Sequence, residues 1–333
     1  MTGDASIVVY GHEWARQLLR SAVMSGRTAH AYLFTGPDQV GKATLARAFA
    51  QALCCEAPQG ERGVGGCGRC RTCRLMHDGY YSDLRFVEPV SGQIRIDQVR
   101  DLIREATLSP AVGRYKVFMI QSFECANPNA ANALLKTLEE PTETTRILLT
   151  GNESAGLLPT ITSRCQIIPL RTLSVSTVDA ALQVGPWQAP PEQARLLAGL
   201  SGGRLGWAVQ AIMRPDLWET QRRQLDDARV LVGQGVVDRL AYAARLAEGE
   251  DVQLALRSWM LWWRDVLLLQ RGCDDLIVNS DRLVQLRPMA AQLRPADVRR
   301  YLQALMTTTN LLRQNVSVQL ALESLLLKVP LPA

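Results

Sequence analysis

No stretch of this 333-residue chain is apolar for long enough to span a bilayer, and its opening MTGDASIVVYGHEW lacks the basic-then-apolar layout of a secretory signal. A membrane protein and an exported one are both unexpected; the chain reads as a soluble, cytoplasmic protein. A strong charge of either sign is lacking too. The formal net charge of +5 is too small to mark an independent nucleic-acid-binding domain, while leaving room for a local basic face in a shared DNA surface. Disulfides are unexpected, because a cytosolic chain keeps its thiols reduced and five of the eight cysteines crowd between Cys54 and Cys73. That clustering points to a metal. What the chain has in quantity is apolar residues, 47% of the total, enough to fill the cores of two or three domains.

The informative stretch is Gly36-Pro37-Asp38-Gln39-Val40-Gly41-Lys42-Ala43-Thr44, which follows the apolar run Ala31-Tyr32-Leu33-Phe34 and precedes helix-forming residues 45–53. A buried strand, a glycine loop and a helix in that order cradle phosphate: backbone N–H groups close round the anion at a helix N-terminus and the lysine adds a point charge. Gly36, Gly41 and Lys42 are the candidate nucleotide contacts, with Thr44 and the strand-end Asn152 beside them. Asn152 serves equally as a turn former or as a holder of water or phosphate.

Here again something is missing. The residue straight after the lysine ordinarily supplies a hydroxyl to Mg²⁺, and this chain has Ala43; Thr44, one residue on, projects about 100° further round the helix. The second deep strand, 115–120, would end in an Asp that orients the metal and a Glu that activates water. This chain ends it in Gln121 and Ser122, neither of which offsets a divalent cation or accepts a proton at neutral pH. Glu124 lies past the strand end and reads as a solvated loop residue. The fold is therefore one built for hydrolysis without the groups that hydrolysis needs.

Cys67, Cys70 and Cys73 stand two residues apart in a glycine-rich loop, with Cys55 eleven residues further upstream. Four thiolates suit tetrahedral Zn²⁺, and a closed four-sulfur site is structural. Cys54 competes with Cys55 for the first ligand position; otherwise it is a small buried hydrophobe.

Elsewhere, helical spacing after Gly11 groups Trp14, Leu18, Leu19 and Val23 on one face, and His12 and His30 read as packing residues. Strands are expected at 84–87, 146–150 and 166–169, with helices after an Asp97 cap and over 127–140, the latter stopped by Pro141. Beyond Pro215 the chain reads as long amphipathic helices, in which Trp259, Trp262 and Trp263 belong to the core.

Taken together, AHAYLFTGPDQVGK, the four-cysteine insertion after the phosphate-loop helix, ANALLKTLEEP and LLPTITSRCQ resemble the AAA+ subunits of the bacterial clamp loader over roughly residues 8–170, with a looser likeness in WWRDVLLLQ and NVSVQLALESLLLK. The resemblance implies an α/β phosphate-loop domain with a parallel sheet over 1–170 that carries the zinc module at about 54–76, then a small helical lid over 171–213 and an all-α collar over 214–333. It implies that Arg164 of the Ser163-Arg164-Cys165 element is an arginine finger reaching ATP on a neighbouring subunit. A guanidinium suits that task without needing ATP in its own subunit. The motor subunits of this family touch their nucleotide with an arginine in a Gly-x-x-Arg setting; SGGRLGWAV puts Gly206 there, with Arg204 two residues earlier. The expectation is a non-motor stator subunit with structural zinc and a degenerate ATP site. Its partners would be the motor ATPase subunits, the clamp-opening delta subunit and, through the complex, primer–template DNA. The alternative is an autonomous phosphate-loop ATPase or kinase with a zinc lid.

Overall fold

The computed structural model describes residues 5–58, 63–152, 157–249, 251–312, 314 and 316–332; residues 59–62 of the expected zinc module lie outside them. The chain divides into two compact units, residues 1–178 with 203–207 and residues 179–202 with 208–333.

The first unit is a parallel five-stranded sheet. Its strands are β1 (Ala31–Thr35), β2 (Leu84–Val87), β3 (Lys116–Ile120), β4 (Thr145–Gly151) and β5 (Gln166–Pro169), in the spatial order β2-β3-β4-β1-β5. Helices α1 (Glu13–Ser25), α2 (Lys42–Cys54), α3 (Arg71–His77), α4 (Ile96–Ala106), α5 (Pro128–Glu139) and the short α6 (Pro159–Thr162) connect them. Alternation along the strands divides the core in two, since successive side chains leave opposite faces. Tyr32, Phe34, Val117, Met119 and Leu148 join one cluster with Leu19 of α1 and Leu45 and Phe49 of α2. Ala31, Leu33, Phe118, Ile120, Ile147 and Leu149 join the other with Leu102 of α4 and Leu134 and Leu138 of α5. Burying each large side chain contributes about 1.5–3 kcal/mol, so helices on both faces are what make the buried, largely apolar central strands β1, β3 and β4 stable.

Two local expectations need correction. On α1 the buried stripe is Ala15, Leu19 and Val23, while Trp14 and Leu18 are 47% and 38% exposed. The small Ala15 takes the place against the core that the larger Trp14 had suggested, rotating the buried face by one residue. Helix α4 begins two residues earlier than an Asp97 cap would allow: Arg95 is the cap residue, its N–H donating to Gln98 Oε1 at 2.9 Å. Asp97 sits in the first turn, where a negative charge is still favourable.

The second unit contains α8 (Pro191–Leu200) and the long helices α10 (Pro215–Gly233), α11 (Val236–Gly249), α12 (Val252–Gln270), α13 (Leu283–Gln292), α14 (Pro295–Leu311) and α15 (Val318–Leu326); α7 (Val175–Val184) and α9 (Leu205–Met213) lie along the chain between and beside the units' segments. Its core is built round α12. Trp259, Trp262 and Trp263 are fully buried, as the sequence suggested. Trp259 Nε1 donates to the Gln224 carbonyl at 3.0 Å, and Trp263 meets Tyr301 edge-on at 5.1 Å, arrangements that satisfy an indole's polar end and favour aromatic pairing. No helix among the described residues is long and apolar enough to cross a membrane.

Candidate functional site

Strand β1 lies between β4 and β5, where the order of a parallel sheet reverses and a crevice opens past the strand ends. The loop from Gly36 to Gly41 fills that position and leads into α2. Gly36 has φ +142°, and a Cβ there would stand 2.3 Å from the Leu170 carbonyl oxygen, so no other residue fits. Gly41 caps α2 with φ +108°, again a glycine conformation.

Lys42 turns back into this loop. Its Nζ donates to the carbonyls of Gly36 at 2.6 Å and Pro37 at 2.8 Å and to Asn152 Oδ1 at 2.9 Å, with Asp38 Oδ1 at 3.9 Å. An ammonium has three donors, and three oxygens take them. The side chain is only 10% exposed. Burial holds its pKa below the usual lysine range, against the opposing pull of Asp38 and Glu124. Asn152 ties the loop a second time, its carbonyl accepting from the Gly36 N–H at 3.0 Å. The loop thus brings Gly36, Gly41, Lys42 and Asn152 together. Thr44 is exposed on α2, and Ala43 packs against the apolar cluster beneath the loop.

At the end of β3, Gln121 Nε2 donates to Glu88 Oε1 at 2.7 Å, and the Ser122 N–H donates to Thr150 Oγ1 at 3.0 Å. Glu124 is not the solvated loop residue expected. It is partly buried, its Oε2 is buried with no hydrogen-bond partner, and burial raises its pKa, with Lys42 pulling the other way. The backbone turn at Ser122, φ 50°, folds this segment inward. Over the loop, the Gly206 N–H donates to the Gln39 carbonyl at 2.8 Å, and a Cβ on Gly206 would stand 2.8 Å from that same oxygen. No arginine fits at that position without moving the loop.

Ser163 and Arg164 follow α6, apart from the phosphate loop. Arg164 Nη1 donates to the Thr160 carbonyl at 2.8 Å and to Ser163 Oγ at 3.3 Å, and Nη2 lies 2.6 Å from Glu139 Oε1 at the end of α5. The arginine side chain remains 33% exposed.

The thiols of Cys55, Cys67, Cys70 and Cys73 all lie within 4.8 Å of one another. Around a tetrahedral ion with sulfur at about 2.3 Å, sulfurs stand about 3.8 Å apart, so the cluster needs little adjustment. Backbone N–H groups aim at the sulfurs: Cys70 N to Cys67 Sγ and Cys73 N to Cys70 Sγ, each 3.3 Å. Such donors favour the thiolate a metal requires. Burial works against the Cys67 thiolate, yet the N–H groups of Arg69 and Cys70 together with the Cys55 and Cys70 thiols outweigh it and bring that thiol down to about 7, whereas burial pushes the Cys55 and Cys73 thiols up. Cys54 faces elsewhere, its thiol donating to the Tyr115 carbonyl and pushed up to about 12 by burial. Gln51, fully buried on α2, donates to the carbonyls of Ala5 and Cys73 and so fastens the module to the sheet's helix.

Two residues were not foreseen, Glu88 holding Gln121 and Glu139 holding Arg164, and Glu124 beside the phosphate loop was singled out but read as solvated. Glu139 left a trace in the sequence, as an acid at a helix C-terminus where the macrodipole opposes it.

Among known proteins, a family model described as DNA polymerase III, delta subunit matches residues 11–174. The DNA polymerase III subunit delta' of Pseudomonas aeruginosa is 39% identical over 198 residues, covering 58% of this chain and 58% of that protein. The subunit delta' of Yersinia pestis is 31% identical over 278 residues, covering 81% and 78%. That of Bacillus subtilis is 28% identical over 317 residues, covering 93% and 94%.

Proposed function

Because this chain belongs to the DNA polymerase III delta-prime family, we propose that it is the non-motor stator of a clamp loader, an AAA+ subunit that lends Arg164 to the ATP of a neighbouring motor subunit. In this reading the complex opens a sliding clamp and loads it onto primed DNA in the cytoplasm. Residues 1–170 form the AAA+ domain, and residues 171–213 and 214–333 serve as lid and collar. One observation carries the assignment: Lys42 spends its donors on oxygens of its own chain, two in its loop and one on Asn152, while the Arg164 side chain keeps a third of its surface in water. A guanidinium aimed at a triphosphate stabilises the charge that develops on transfer. Ala43, Gln121 and Ser122 leave the chain's own loop without a metal ligand or a base, so its contribution to turnover passes through the neighbour.

Cys55, Cys67, Cys70 and Cys73 would hold Zn²⁺, which would cross-link the insertion and take no part in the reaction. Metal analysis should give about one Zn²⁺ per chain, lost in Cys55→Ser and kept in Cys54→Ser; zinc retained in the first or lost in the second would reverse the ligand assignment. The function itself is tested by ATP turnover. The isolated chain should show none above background, and a complex reconstituted with motor and delta subunits should lose most of its turnover on Arg164→Ala while remaining assembled. Ordinary enzymatic turnover by the isolated chain would instead favour an autonomous ATPase.

A further inference from the structure

We propose that Glu139 is a positioning residue that parks the Arg164 guanidinium on its own chain until a phosphate on the neighbouring subunit displaces the carboxylate. The inference rests on the reading of Arg164 as a finger and assigns it a resting state. Both partners are held by the same apolar cluster. Leu138, just before Glu139, and Ile161, three residues before Arg164, are buried in it, and Cys165 packs against it. Their backbones are therefore fixed, and the pairing at 2.6 Å is set by the core and not by two wandering side chains.

Three features point to parking. Glu139 is the last residue of α5, where a helix's exposed carbonyls repel a carboxylate and attract a cation. The choice of an acid there is locally unfavourable, and Arg164 offsets it. Next, Glu139 takes Nη2 while the Thr160 carbonyl takes Nη1, so both terminal nitrogens of the fork that would grip phosphate bidentately are already engaged. Carboxylate and phosphate then compete for the same guanidinium charge. Finally, the pair is solvent-exposed, 33% for Arg164 and 48% for Glu139. Water screens such a pair, and a polyphosphate carries more charge than the carboxylate it replaces. The contact is strong enough to choose a resting rotamer and weak enough to yield.

The test uses the reconstituted complex, read as ATP turnover at limiting ATP across a salt series. Glu139→Gln keeps the shape and drops the charge, and it should raise turnover at low salt by roughly 1.4- to fivefold, the range spanned by exposed ion pairs. Added salt should bring the unmodified complex toward the variant, because it loosens the same contact; a structural defect would not follow that course. The rise must vanish in Glu139→Gln/Arg164→Ala. Unchanged or lower turnover in Glu139→Gln, or a rise that persists without Arg164, overturns the inference. Glu139→Ala provides a second variant if the glutamine melts early, with the same expected sign. Arg164→Ala alone judges the finger reading, so the two failures are distinguishable.

Discussion

Lys42 and Arg164 are two cations of one α/β unit, each at the end of a short loop and each within reach of a carboxylate of its own chain, and the fold treats them oppositely. Lys42 is 10% exposed and its ammonium meets three oxygens of its own chain; Arg164 is 33% exposed and shares its fork with one carboxylate and the oxygens of its own turn. A hydrogen bond from a charged donor contributes about 1.5–3 kcal/mol, and Lys42 makes three, two of them part-buried and one exposed. An exposed ion pair costs about 0.2–1 kcal/mol to part. The difference teaches that a phosphate-loop sequence does not by itself leave its lysine free: the donors of Lys42 are taken by oxygens of its own chain, and the more exposed of the two cations lies outside the motif.

The sharpest way to break that comparison is to neutralise each cation in turn in the assembled complex. Arg164→Ala should lower ATP turnover by at least about tenfold, toward the range that arginine fingers command elsewhere. Lys42→Met, which keeps length without charge, should leave turnover within about twofold. The measurement is steady-state ATP hydrolysis with clamp and primed DNA present. If Lys42→Met matched Arg164→Ala, the loop would be working as a nucleotide site and the contrast would fail.

The second test asks whether the phosphate loop is a rigid structural piece. Gly36→Ala must place a methyl 2.3 Å from the Leu170 carbonyl at φ +142°. Gly26→Ala also enters a positive φ, +69°, but meets nothing within 4 Å. Strain alone costs about 1–2 kcal/mol, so Gly26→Ala should lose about that much in denaturant melts of the isolated chain. Gly36→Ala should lose about 3 kcal/mol or more, since backbone must also shift. Equal losses would mean the loop gives way easily, and a Lys42 locked within it would lose its explanation.

How much of this could be read from residues alone follows the same division. The sheet and its flanking helices were legible because 31–34, 117–120 and 147–149 are continuous apolar runs with helical patterns between them. The zinc module was legible from spacing, and the choice of Cys55 over Cys54 needed only the direction of two adjacent side chains leaving the end of α2. Pairings between distant residues were not legible. Glu139 and Arg164 meet because Leu138 and Ile161 share a core cluster, a fact that no local window contains. Glu124 was misread for the same reason: an acid after a strand looks solvated until the turn at Ser122 folds it beneath Gly151, where a Cβ would lie 3.4 Å from its Oε2. The stripe on α1 failed on size, because Trp14 outweighs Ala15 in any pattern count yet the core there accepts only the smaller residue.

The smallest expected effect concerns Glu124, the acid on the Lys42 side of the comparison. Burial raises its folded pKa above the ordinary carboxylate value, with Lys42 only partly offsetting this. Between those two values the folded chain binds more protons than the unfolded one, so stability falls as pH rises through the window just above the usual glutamate range. Below the unfolded pKa the protonated acid costs nothing extra; above the folded pKa the full penalty of a buried carboxylate is present. Glu124→Gln removes the charge and keeps the shape, so it should raise the melting temperature at pH 7 and flatten the slope in that window, as seen in melts of the isolated chain at stepped pH. Lys42→Met should do the reverse, steepening and extending the fall, because the lysine's offset is gone. A glutamine variant less stable at pH 7 would mean that Glu124 supports the charge of Lys42 more than burial opposes its own, and the phosphate loop would then be an ion pair held in reserve in place of a closed structural knot.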